Sequence, residues 1–171
     1  MNRLLDEGNL QFDFSAFNTA DRFDDKRINP SGMKAVDFVA ETDDYLYFIE
    51  VKDYQNPKAT EERRRTDYKM LIAAGTQKKA IFNIEVGEKI KDSLLRKYSL
   101  GEKIIKDVVY LLFINLDKLG AFERGLLKSK IIGHVPTGLN DNRFCEFTEI
   151  SFDLVSAEQL KSYGITCTAK Q

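Results

Sequence analysis

Two carboxylates and an amine interrupt an otherwise apolar stretch: Asp37 in Ala35-Val36-Asp37-Phe38-Val39-Ala40, then Glu50 and Lys52 in Tyr47-Phe48-Ile49-Glu50-Val51-Lys52. Both segments are rich in β-branched and aromatic residues. The polar cluster Glu41-Thr42-Asp43-Asp44 between them is a turn, so residues 34–53 read as a hairpin. Side chains alternate faces along a strand, which places Glu50 and Lys52 with Leu46 and Phe48 and leaves Ile49 and Val51 on the other face. Ionised groups on such strands are costly to bury without partners.

A hard cation would meet that cost. Magnesium and manganese favour oxygen ligands, and Asp37, Glu50 and the Val51 carbonyl can supply them. Lys52 beside the ion would orient or help deprotonate a water, or stabilise the negative charge that builds up during attack on a phosphodiester. The same residues also suit a plainer arrangement. Glu50 and Lys52 can form an ion pair on a half-exposed strand, with Asp37 one more turn-proximal acid in a chain that is 31% charged.

An Asp, a hairpin-length gap and then Glu-x-Lys resembles the PD-(D/E)xK nuclease superfamily, with Val36 where that motif carries proline. The resemblance spans roughly residues 35 to 54 by motif and 10 to 116 by order of elements. It implies an α/β, restriction-endonuclease-like core with a central mixed β-sheet flanked by helices, magnesium or manganese as cofactor, and cleavage of nucleic acid. It also directs attention to a third acid from the first helix, for which Asp24 and Asp21 are the candidates, and to a polar residue at a helix start, here Gln77.

The elements that would hold these groups follow from periodicity. Leu10, Phe12 and Phe14 alternate with polar residues as a short opening strand, and Ser15 caps a short helix to about Asp25 that carries Phe17 and Phe23 inward. The segment Arg27 to Gly32 is a turn. A charged helix starts at Glu61, with Tyr68, Leu71 and Ile72 as its apolar face. A second begins near Thr76, carries Phe82, Val86, Ile90 and Leu94 at four-residue spacing, continues through Leu95 and Tyr98, and stops at Gly101. The apolar run Val108 to Ile114 reads as an interior strand covered on both faces. Leu119, Phe122, Leu126 and Leu127 mark a further helix, and Phe144 to Val155 a late strand. Ser156-Ala157-Glu158-Gln159 then forms a capping box before a last short helix ended by Gly164. Strand, strand, helix, strand is the order of the nuclease core.

With 171 residues and 43% hydrophobic content, residues 1–171 suit one globular domain. The net charge of −1 makes no global electrostatic case for nucleic acid, so binding has to use a local patch. Arg63, Arg64, Arg65, Lys78, Lys79, Lys89, Lys91, Arg96 and Lys97 fall in the two helical runs after Glu-x-Lys, where a phosphate backbone could be held beside the metal. Glu61, Glu62 and helical periodicity equally suit a solvated face. His134, in Gly133-His134-Val135-Pro136, reads as a loop or capping residue, and Cys145 and Cys167 as packed free thiols. No apolar run is long enough for a membrane span and the start lacks a signal-peptide core, so a cytoplasmic protein without membrane contact is expected.

The expectation is a nuclease acting on DNA ahead of RNA through Asp37, Glu50 and Lys52. The alternatives are an inactive nuclease-fold module serving as a binding or assembly subunit, and a metal-independent interaction protein. A homodimer or larger complex is compatible with any of these.

Overall fold

The structure, a computed structural model, describes residues 3–25, 32–72, 77–138 and 149–170, and side chains over these ranges except at 77–79. Its strands are β1 (Leu4–Glu7), β2 (Leu10–Asp13), β3 (Thr19–Arg22), β4 (Phe38–Glu41), β5 (Tyr45–Asp53), β6 (Asp107–Asn115), β7 (Ile150–Val155) and β8 (Thr166–Ala169). Its helices are α1 (Glu61–Ile72), α2 (Gln77–Ser99), α3 (Ala121–Ile131) and α4 (Ala157–Leu160). A five-stranded mixed sheet runs in the order β3-β4-β5-β6-β7. Its first two pairings are antiparallel and its last two parallel. This is an α/β architecture with helices flanking a mixed sheet.

Alternation along the strands creates two cores. Leu46 and Phe48 of β5, with Val108, Tyr110, Leu112 and Ile114 of β6, face the helices and meet Leu71, Phe82, Val86, Ile90, Leu94 and Leu127. Each such side chain fully removed from water contributes about 1.5–3 kcal/mol, so the stripe on α2 fixes which face of that helix meets β5. Ile49, Val51, Leu111 and Phe113 face the other way, onto Phe12, Phe14, Leu160 and Ile165. That side is covered by a smaller antiparallel sheet, β1-β2-β8, together with α4.

The expected hairpin forms, with Asp37 immediately ahead of β4 rather than within it. Its turn is closed by Thr42, whose N–H donates to the Tyr45 carbonyl and whose hydroxyl accepts the Tyr45 N–H. Strand β6 is the interior strand, paired on both sides. Gly101 ends α2 in the left-handed region at φ 77°, and Ser156 and Gln159 form the capping box of α4.

Several expectations require correction. Ser15 does not cap a helix. Its N–H and hydroxyl both donate to Asp13 Oδ1, and the chain continues into β3. Phe17 and Phe23 are buried as expected, but in opposite cores, which one face of a short helix cannot reach. Leu95 lies off the α2 stripe and is 57% exposed, Tyr98 is also exposed, and Phe122 on α3 is 75% exposed. Strands β1 and β8 are largely exposed and carry little apolar alternation in the sequence. The late strand starts at Ile150. Residues 144–148, with Cys145, lie outside the described residues, as do residues 27–31 of the proposed turn. Cys167 is a free, partly buried thiol, and burial, reinforced by Asp53, pushes it up to about 12. Among the described residues no helix is long and apolar enough to cross a membrane.

Candidate functional site

The segment before β4 is stitched to α2 on one side and to the sheet on the other. Lys34 N–H donates to Asp92 and Val36 N–H to the Ser93 hydroxyl, at 2.8 and 3.0 Å. The Asp37 carbonyl accepts the Phe23 N–H at 2.8 Å. The Asp37 carboxylate accepts the Val51 N–H at 2.6 Å through Oδ2. Helix α2 is itself pinned where Tyr110 donates its hydroxyl to the Val86 carbonyl. These contacts bring Asp37 against the end of β5 that carries Glu50 and Lys52.

Glu50 is fully buried and lies on the helix-facing side of β5, as alternation requires. Lys52 Nζ is 2.9 Å from Glu50 Oε1, close enough for an ion pair but off the angle of a hydrogen bond, so Oε1 has no hydrogen-bond donor. The other oxygen is engaged from helix α2. Lys89 of α2 donates to Glu50 Oε2 at 2.7 Å, and its Nζ lies 3.8 Å from Asp37 Oδ1. Two acids and two amines thus form one charge-balanced cluster.

Burial dominates its electrostatics. Desolvation, reinforced by the Asp37 charge, pushes the Glu50 carboxyl up to about 7 despite both lysines. Burial also raises Asp37 above the ordinary carboxylate value, against the pull of Lys89 and the Val51 N–H. For Lys52 burial acts downward, but the charge and proximity of Glu50, with Glu85 behind it, outweigh burial and hold the amine above its ordinary value. Tyr54, at the end of β5, is raised by burial and by Asp67 and Glu85.

On the far side of Asp37 stands a second acidic group. Carboxylate oxygens of Glu7, Asp24 and Asp37 lie within 4.8 Å of one another. Asp24, one of the two acids considered from sequence, is therefore beside Asp37, whereas Asp21 sits on an exposed position of β3 outside this group. Arg22 bridges the other two, donating to Glu7 and, at 2.7 Å, to Asp24. Burial and the Asp37 charge raise Glu7. Nothing in the alternation of β1 identifies Glu7 as a neighbour of Asp37.

The basic residues divide. Arg63 and Arg65 are exposed on α1, and Arg63 pairs with Asp67 at 3.1 Å. Arg64 is half-buried, with Nη2 donating to the Asn56 carbonyl. The backbone of Gln77, Lys78 and Lys79 opens α2, and their side chains lie outside the described residues. Arg96 and Lys97 are buried: Arg96 donates to the Phe23 carbonyl and stacks 4.1 Å from the Phe23 ring, and Lys97 pairs with Glu41 and Glu102. Neither presents a phosphate-binding surface. His134 ends a short 3-10 turn packed against Gly87 of α2.

A cavity of about 290 Å³ opens between α1 and α2, with Arg63, Asp67, Phe82 and Glu85 in its wall. A larger one, about 640 Å³, lies at the carboxyl ends of β6 and β7 around Arg124 and does not include Asp37, Glu50 or Lys52. There Arg124 clamps the strand ends by donating to the carbonyls of Leu119, Val155 and Ile114.

Comparison of the chain with protein-family models, with curated proteins and with solved structures gave no match.

Proposed function

We propose that the chain is a PD-(D/E)xK-like, metal-dependent nuclease that hydrolyses phosphodiester bonds in DNA ahead of RNA. The observation that carries this reading is the convergence of Asp37, Glu50 and Lys52, from a hairpin followed by helices and a parallel strand, on one largely buried spot. The hard carboxylate oxygens of Asp37 and Glu50, both largely withdrawn from water, fit a hard cation. Asp37 and Glu50 would hold it, with the Val51 carbonyl as a further oxygen donor; Asp24 groups with Glu7 at Asp37 and not with Glu50. When bound, magnesium or manganese supplies Lewis acidity toward a phosphoryl oxygen and an acidified water.

Lys52 is read as the group that stabilises negative charge or orients water, because the charge and proximity of Glu50 favour its ammonium form. Asp37 keeps its orientation through the Val51 N–H, and the apolar wall of Phe48 and Leu112 limits water on the sheet side. Exposed Arg63 and Arg65 on α1 are available to meet a phosphate backbone. The test is cleavage of supercoiled plasmid, single-stranded DNA and RNA with magnesium or manganese. Activity in the wild type that is lost in Asp37→Asn supports the reading, and no cleavage of any substrate with either metal rejects it.

A second reading has one observation of its own. Lys52 and Lys89 already balance both carboxylates, as befits a nuclease-fold module that has given up cleavage and serves as a binding or assembly subunit. Metal binding without cleavage would select this reading.

A further inference from the structure

Lys89 stands where a cation for the two acids would stand. Its side chain is only 15% exposed, and among the described residues its ion pairs are with Glu50 and Asp37 alone. Glu50 has no exposure at all, so its charge depends on cations supplied from within the fold. Lys52 approaches one oxygen and Lys89 binds the other. A magnesium ion sits about 2.0–2.1 Å from its carboxylate oxygens. An ammonium 2.7 Å from Glu50 Oε2 and 3.8 Å from Asp37 Oδ1 already serves both acids as a cation.

We propose that Lys89 is the resident counter-cation of the Asp37–Glu50 pair, and that a divalent ion enters only by displacing its ammonium, so that Lys89 sets the metal affinity of the site. The proposal rests on the metal-site reading above. Displacement is mechanically simple because the ammonium rides on a flexible four-carbon stem. The fold also provides somewhere for it to go. Glu85 lies one turn earlier on α2, partly buried, with the acid on the N-terminal side of the lysine, the favourable order for an i,i+4 pair. Lys52 has a different place in this arrangement. It holds Oε1 from the strand itself and lies within ion-pair distance of Glu50 but not of Asp37.

The experiment is manganese binding to the full chain, by titration calorimetry and by the loss of the free-ion EPR signal, in wild type, Lys89→Met, Lys89→Gln and Lys52→Met. Lys89→Met is expected to bind manganese about tenfold or more tightly than wild type, since a like charge has left the ion's place. Lys52→Met should change affinity much less. In chelator Lys89→Met should melt below wild type, and manganese should raise its midpoint by more than it raises that of wild type. Lys89→Gln keeps a hydrogen-bond donor to Glu50 and should show the same gain in affinity if Lys89→Met folds poorly. Manganese binding that appears only when Lys89 is replaced also supports displacement. If wild type binds manganese and neither Lys89 variant binds it more tightly, or Lys52→Met tightens it equally, the displacement proposal fails while the metal site stands. If no form binds manganese, the metal-site reading fails and takes the proposal with it.

Discussion

The carboxylate of Asp37 accepts the main-chain N–H of Val51 at 2.6 Å, so the acid ahead of β4 is held by the peptide that separates Glu50 from Lys52. A shift of the hairpin register would break this bond and part the two acids together.

Asp37→Asn keeps an oxygen acceptor for that N–H and should stay within about 1 kcal/mol of wild type, whereas Asp37→Ala orphans the N–H and should cost about 1–3 kcal/mol. Both should lose manganese binding. Chemical denaturation in chelator, with calorimetry for the metal, checks the pair. Equal stability of the two variants would mean that the bond to Val51 carries no weight.

Glu50 gives a pH dependence of definite sign. Its carboxyl moves from an ordinary 4.5 up to about 7 on folding, so between those values the folded state binds the extra proton. Its contribution to stability is therefore fully present below about pH 4.5 and is lost as pH rises through about 7, a change on the order of 3 kcal/mol. In chelator, Glu50→Gln should flatten the stability profile across this window. A profile as steep as that of wild type would show that Glu50 does not titrate there.

Lys52→Met retains the stem's packing and removes the ammonium. Cleavage should fall by two orders of magnitude or more, on the order of what a lost charge stabiliser costs, while manganese affinity stays near that of wild type. Undiminished cleavage would remove Lys52 from the chemistry.

Two glycines should respond in opposite directions to alanine. A Cβ on Gly87 would meet His134 O at 2.5 Å and His134 Cβ at 2.6 Å, so α2 would have to move away from the turn at Ile132–His134. The expected loss is about 1–3 kcal/mol, more than the helix preference for alanine returns. Gly125 on α3 has nothing within 4 Å of an added Cβ, and Gly125→Ala should gain about 0.5–1 kcal/mol. Thermal melts of the two variants decide it.

What could be read from the chain was what repeats along it. Two-residue alternation places Glu50 with Leu46 and Phe48, and the four-residue stripe Phe82-Val86-Ile90-Leu94 orients α2, because both signals are large blocks of buried apolar surface. Strands β1, β3 and β8 escaped because, unlike β2 and β4, they bury little apolar surface. Thr19-Ala20-Asp21-Arg22 becomes a strand by pairing with β4, and Thr166 to Ala169 by pairing with β2. Lys89 was legible only as one of several lysines on a helix. Its meeting with Glu50 is a tertiary event between residues far apart in sequence, and a lysine facing a buried acid looks the same in sequence as one facing water. Phe122 and Leu126 erred the other way: their spacing suits a helix, but Leu127 and Ile131 supply its buried face.

Strand β2 pairs on one side with its own hairpin partner β1 and on the other with β8, where Leu10 lies opposite Ala169. Such distant pairing carries a large loop-closure cost, so it belongs late in the folding sequence, after β4, β5 and the helices have formed local structure. Apart from β8, the β1–β2 hairpin is tied to the large sheet through Arg22 of β3, whose Nη1 donates to the Asp6 carbonyl and which also pairs with Glu7, and through the aromatic cluster of Phe12, Phe14, Phe38 and Phe113. A substitution that breaks the β2–β8 pairing should therefore loosen the small sheet and expose its aromatic residues to self-association.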